Sequence, residues 1–238
     1  MLKSPLKKGV TVKKTALLLA LMPFFSHAES AYRIDEGQLS FFGITNKINN
    51  MRLSQATPKN YLFFGDSIIQ GLNPNGMHMS YVNLGIGGDT VHGVFKRIRE
   101  TPIERYDGIL VSVGANNFLQ GESGWDLGDE LMEVIDYAAP KAKKLFVMET
   151  FIPNRTMNLT VSSDFASANA KIHTACAKYI NCQVIPMPEG MIGKEGLKKE
   201  FSISDGIHLN AVGYTLWKIE INKKMADFPV NYYYRARY

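Results

Sequence analysis

Residues 61–69 read YLFFGDSII, and this short stretch constrains the fold more than any other. Four consecutive apolar or aromatic residues have the length and composition of a strand buried on both faces, and Gly65 then lets the chain turn sharply. Asp66 and Ser67 follow on that turn, so Ser67 sits at the carboxyl end of a strand, the edge where open α/β sheets place ligands and chemistry. Further apolar runs at 81–84, 108–113, 144–149 and 183–185 alternate with helical spacing at about 90–99, 124–139, 163–179 and 211–225. An amphipathic helix at about 38–53 precedes them, and residues 153–163 and 186–203 read as irregular, with Ser162 or Ser163 capping the helix that follows the first. Crossovers of this length suit right-handed parallel connections and predict an α/β chain, a three-layer α/β/α sandwich around a central, mainly parallel sheet.

The amino terminus has a different character. Lys3, Lys7, Lys8, Lys13 and Lys14 lead into an apolar run at 15–25 and then Ser26-His27-Ala28, the layout of a secretory signal peptide. The run is too short to span a bilayer, which takes about 20 residues. The expectation is therefore cleavage after Ala28, with an uncleaved anchor as the alternative. Residues 29–238 then form a single domain with an N-terminal helical extension and a short C-terminal tail, periplasmic or secreted, with no stable membrane span. The first 28 residues hold five of the 27 Lys and Arg and none of the 22 Asp and Glu, so the remainder is balanced in charge. The basic character belongs to the leader, and short groups such as Lys198-Lys199 and Lys223-Lys224 do not make the clustered basic face that nucleic-acid binding requires. Cys176 and Cys182 are the only cysteines; they close a short disulfide loop in an oxidising compartment or remain two buried thiols, and their spacing is not that of a metal site. Two glycosylation sequons begin at Asn154 and Asn158 and matter only in a eukaryotic host.

The first three strands each deliver a functional group as they end: Ser67, the glycine turn at 85–88, then Asn116. Parallel strands bring all three to one sheet edge. A serine hydroxyl is a poor nucleophile at neutral pH unless a base takes its proton, and histidine has the pKa suited to that task. Of His78, His92, His173 and His208, only His208 has a carboxylate three residues before it, Asp205, which can hold one ring nitrogen while the other faces Ser67. The backbone amides of Ser67 and Gly88 and the side-chain amide of Asn116 are placed to stabilise an oxyanion. Asp89, Asn117 and His92 read as supporting or capping groups, His78 and His173 as structural. Trp125 and the terminal tyrosines read as core or tail rather than as a ligand platform.

These blocks, Gly65-Asp66-Ser67-Ile68, Gly87-Gly88-Asp89-Thr90, Gly114-Ala115-Asn116 and Asp205-Gly206-Ile207-His208, resemble in order those of the SGNH hydrolases, or GDSL-type esterases and lipases. Ile68 replaces the commoner leucine. The glycine and asparagine blocks are similar to the branch of small acetylhydrolases. The resemblance implies a flavodoxin-like sandwich and ester hydrolysis through an acyl-enzyme on Ser67, with His208 as base, Asp205 orienting it, and Ser67, Gly88 and Asn116 as the oxyanion hole. It implies no metal and no organic cofactor. The G-x-S-x-G elbow of the α/β-hydrolase fold is absent, since Ile69 occupies its last position. The expected activity is that of an exported serine esterase acting on short O-acyl groups, especially acetyl, of a carbohydrate or small molecule. A lysophospholipase or thioesterase acting on a lipid ester, an acyltransferase using the same residues, and a non-catalytic binding module are the alternatives.

Overall fold

The computed structural model describes residues 40–154 and 161–228; the leader, the second sequon and the terminal tyrosines lie outside them. Five parallel strands form the central sheet: β1 (Tyr61–Gly65), β2 (Tyr81–Gly85), β3 (Gly108–Ser112), β4 (Leu145–Met148) and β5 (Cys182–Ile185), in spatial order β2-β1-β3-β4-β5. The direction of winding reverses between β1 and β3, and such a switch point opens a crevice at the carboxyl ends of the strands. Gly65 pairs with Gly85 on one side and Ser112 on the other, so three strands end level.

Successive strand residues point to opposite faces, and each face is covered. Leu62, Phe64, Ile109, Val111, Leu145 and Val147 pack with α3 (Val91–Arg99), α5 (Gly124–Ala138) and α6 (Val161–Cys176). Phe63, Leu110, Phe146 and Met148 pack with α2 (Ser67–Gln70) and α7 (Ala211–Ala226), whose Trp217 and Ile221 are fully buried. This is the expected three-layer sandwich. Two caps define the helix starts near the crevice. Asp66 accepts from the Ile68 amide at 2.9 Å at the head of α2, and Asn210 accepts from the Val212 and Gly213 amides, each at 3.0 Å, at the head of α7.

Several boundaries differ from the sequence reading. Helix α6 begins at Val161, so Ser163 lies within it rather than capping it. Residues 186–203 are not irregular throughout: β6 (Ile192–Gly193) and β7 (Gly196–Leu197) form a small antiparallel hairpin, followed by a 3-10 turn at Lys199–Phe201. Strands this short carry no periodicity to read. The first helix, α1 (Phe41–Ser54), is present but its polarity is inverted. It buries Thr45 and Asn49 and exposes Phe41, Ile44, Ile48 and Met51. Polar bonds fasten it to the end of β2, where Asn49 Nδ2 donates to the Gly85 carbonyl and Arg52 Nη1 to that of Asn83. Cys176 and Cys182 are joined in a disulfide that ties the end of α6 to the start of β5. Among the described residues no helix is long and apolar enough to cross a membrane.

Candidate active site

Ser67 is the first residue of α2, where an N–H has no intrahelical partner, and its hydroxyl meets His208 Nε2 at 2.8 Å. His208 Nδ1 lies 2.6 Å from Asp205 Oδ2. An ionised carboxylate only accepts, so Nδ1 carries the ring proton and Nε2 presents its lone pair to the serine. Burial works against the Asp205 charge, but the His208 ring, the His208 and Ile207 amides and the imidazole charge outweigh it and hold the carboxyl down at about 2. The loop is rigid for local reasons. Asp205 Oδ1 accepts from the Ile207 and His208 amides, Ile203 N–H donates back to the His208 carbonyl, and Asn210 Nδ2 donates to the Glu200 and Ser202 carbonyls.

The oxyanion donors predicted from the sequence gather at the same place. Gly88 is solvent-exposed with φ +79°, a conformation in which side chains are strained and glycine is at ease. Among the described residues neither the Ser67 nor the Gly88 amide has a hydrogen-bond partner. Asn116 lies in a short helix, α4 (Ala115–Leu119), and its Nδ2 donates to the Asp89 carbonyl at 2.8 Å, using one of its two hydrogens. Ser67, Asn116, Asp205 and His208 are half-buried, so the site is open to water. A cleft of about 310 Å³ runs beside Asp205, lined by Asn154, Lys199, Ser202, Ile203, Ser204 and Gly206.

Sequence reasoning read Asp89 and Asn117 as supporting or capping groups but overlooked Arg97 and Gln70 beneath the site. Asp89 and Arg97 form a buried ion pair, with Arg97 Nη2 donating to Asp89 Oδ2 at 2.7 Å. Burial raises the Asp89 carboxyl and lowers the Arg97 guanidinium, while the attraction between them opposes both shifts. Burial also pushes Asp66 up, to about 7. Gln70 Oε1 accepts from the Gly87 amide at 2.7 Å, and Asn117 Oδ1 accepts from the Val91 amide at the head of α3. Arg97 is one of three basic residues, with Lys96 and Arg99, in the helix 91–99, and its partner, eight residues back and outside the helix, shows no helical spacing, so no local signal set it apart. Of the remaining histidines, His173 pairs with Glu149 at 2.8 Å. Trp125 is not in the core: it is exposed, with Lys171 Nζ 3.4 Å above its ring.

Residues 63–216 match the GDSL-like Lipase/Acylhydrolase family, and the chain belongs to that family and is a serine ester hydrolase. Among curated relatives it is similar to the platelet-activating factor acetylhydrolase IB subunit alpha2 of Rattus norvegicus and of Homo sapiens. Each is 25% identical over 162 residues, which cover 64% of this chain and 70% of the relative. Among solved structures, a GDSL-like lipase from Bacteroides thetaiotaomicron superposes with a TM-score of 0.65 at 18% identity, over 78% of this chain and 98% of that one. A psychrotrophic esterase from Pseudoalteromonas sp. gives a TM-score of 0.53 at 18% identity, over 71% and 97% of the two chains. At these identities the structural likeness establishes the fold.

Proposed function

We propose that the protein is an exported serine esterase that removes short O-acyl groups, preferably acetyl, from a carbohydrate or small-molecule alcohol. The observation that carries the mechanism is the hydrogen-bonded series Ser67–His208–Asp205, at 2.8 and 2.6 Å. Ser67 Oγ attacks the ester carbonyl carbon as its proton passes to His208 Nε2, and the carbonyl electron pair moves onto oxygen. The amides of Ser67 and Gly88 and the second hydrogen of Asn116 Nδ2 receive that charge. Collapse of the intermediate expels the alcohol, which takes the proton from His208. Water then adds to the acyl-enzyme with His208 again as base, releasing the acid and restoring Ser67. Asp205 stays ionised and stabilises the imidazolium.

Three things support the finer assignment. The amino-terminal leader argues for export, and the acetylhydrolase relatives argue for a short acyl group. The cleft beside Asp205 offers Asn154, Lys199, Ser202 and Ser204 as hydrogen-bonding groups for a hydroxyl-rich leaving alcohol. The same residues serve acyl transfer if an acceptor alcohol replaces water, but the open site favours hydrolysis.

The test uses purified protein with p-nitrophenyl acetate and longer p-nitrophenyl esters, a Ser67→Ala control, and mass spectrometry after a serine-directed organophosphate. Turnover falling with acyl length, lost in Ser67→Ala, with one adduct on Ser67, is the expected result. Labelling without turnover, together with net transfer to an added sugar, would replace hydrolysis with acyl transfer. A folded wild-type protein that neither turns over nor labels would remove Ser67 from the nucleophile role.

A further inference from the structure

The Arg97 guanidinium touches the ends of β1 and β2, the strands that lead to Ser67 and Gly88. Its Nη2 donates to the Gly65 carbonyl at 3.0 Å, two residues before Ser67, and its Nη1 donates to the Leu84 carbonyl, four residues before Gly88. Nε and Nη2 both donate to Asp89 Oδ2, at 3.1 and 2.7 Å. Asp89 in turn follows Gly88, receives the Thr90 amide on Oδ1, and offers its backbone carbonyl to Asn116 Nδ2. A five-donor fork is therefore linked to the Ser67 turn, the Gly88 turn and the Asn116 side chain. The Phe64 ring lies 5.9 Å from the guanidinium carbon, and the whole group is closed off from water. Gly93 belongs to the same construction, because a Cβ at that position would lie 1.9 Å from Asp89 Oδ1.

A buried ion pair is weak evidence for stability, since apolar residues of similar volume often serve as well. Directional bonds to the Ser67 and Gly88 segments, extended to Asn116 through the Asp89 carbonyl, point instead to specification of geometry. We infer that the buried Arg97–Asp89 pair is a positioning device that holds the Ser67, Gly88 and Asn116 donors at one mutual spacing, so that it acts on the transition state and not on substrate binding. The inference rests on the esterase reading above. Neither residue touches the substrate.

The experiment compares wild type with Asp89→Asn/Arg97→Met, which removes both charges together, and with Arg97→Lys, which keeps the charge but cannot reach two carbonyls and a carboxylate at once. Folded fraction is followed by circular dichroism, and kcat and KM on p-nitrophenyl acetate are expressed per folded molecule. Binding of a trifluoromethyl ketone, whose adduct with serine places an oxyanion in the hole, is measured alongside. The expected result is a kcat about 10- to 100-fold lower in the double variant, KM within about 3-fold, and a parallel loss of ketone affinity, with Arg97→Lys intermediate. Should the double variant not fold, Arg97→Lys carries the same comparison. Unchanged kcat and ketone affinity per folded molecule would overturn the positioning role and leave the esterase reading intact. A folded wild type that is inactive and unlabelled at Ser67 would overturn both.

Discussion

Asp66 and Asp205 both sit close to the Ser67–His208 pair, and their surroundings push them in opposite directions, to about 7 and about 2. The sign of each effect follows. Below about pH 4 the Asp66 carboxyl is protonated in the folded and the unfolded chain alike. Between about 4 and 7 the folded chain keeps a proton that the unfolded chain gives up, so this contribution to stability is lost as pH rises through that window. Asp66→Asn keeps the acceptor for the Ile68 amide and removes the penalty. Urea unfolding should find it more stable than wild type at pH 8, by up to about 4 kcal/mol, with the difference vanishing near pH 4. Asp205 has the opposite sign, stabilising above its unfolded pKa and losing that as pH falls towards 2. In catalysis, Asp205→Asn should lower kcat by about 1,000- to 10,000-fold by spoiling the tautomer, and Asn116→Ala by about 100- to 1,000-fold, both read with p-nitrophenyl acetate. Ser67, Asp205 and His208 were legible because each stands in a short local block. Arg97 was not, because its four acceptor contacts come from residues brought together only by the sheet and the glycine turn.

At the scale of elements, the layer built on α7 depends on one large side chain. Trp217 is fully buried, and among the described residues its Nε1 has no hydrogen-bond partner. Its contribution is therefore packing: Trp217→Ala should cost about 3–5 kcal/mol by denaturant titration, whereas Trp217→Phe should cost much less. The Cys176–Cys182 bond closes a loop with a sequence separation of only 6, and a loop that short predicts a loss of about 2 kcal/mol on replacing both cysteines with alanine, read from the same titration. Strands and long helices were placed to within three residues at each end, since their apolar runs and periods are strong. The β6–β7 hairpin escaped because two-residue strands leave no pattern, and α1 misled because its buried face makes hydrogen bonds to strand carbonyls in place of apolar contacts.

For the whole molecule, the proposed export leader can be tested apart from the catalytic domain. Expression with an intact export system should yield a chain beginning at Glu29, checked by intact mass; a protein retaining Met1 would favour the anchor. The alternation of apolar runs and helical periods, with functional residues directly after strands, determined by itself the α/β class, the parallel sheet and the sheet edge that carries the chemistry. It did so because buried parallel strands and amphipathic helices are local hydrophobic patterns, and because a residue following a strand has only one edge to occupy. The 141-residue separation between Ser67 and His208, closed to 2.8 Å, was inferred from chemistry, but only the tertiary structure decided it. The structure alone also decided that Asn116 is held by the Asp89 carbonyl, that α1 turns its apolar face outward, and that a buried guanidinium bonds Gly65, Leu84 and Asp89 together. Such contacts depend on distance and direction between segments far apart in sequence, and neither composition nor periodicity records them.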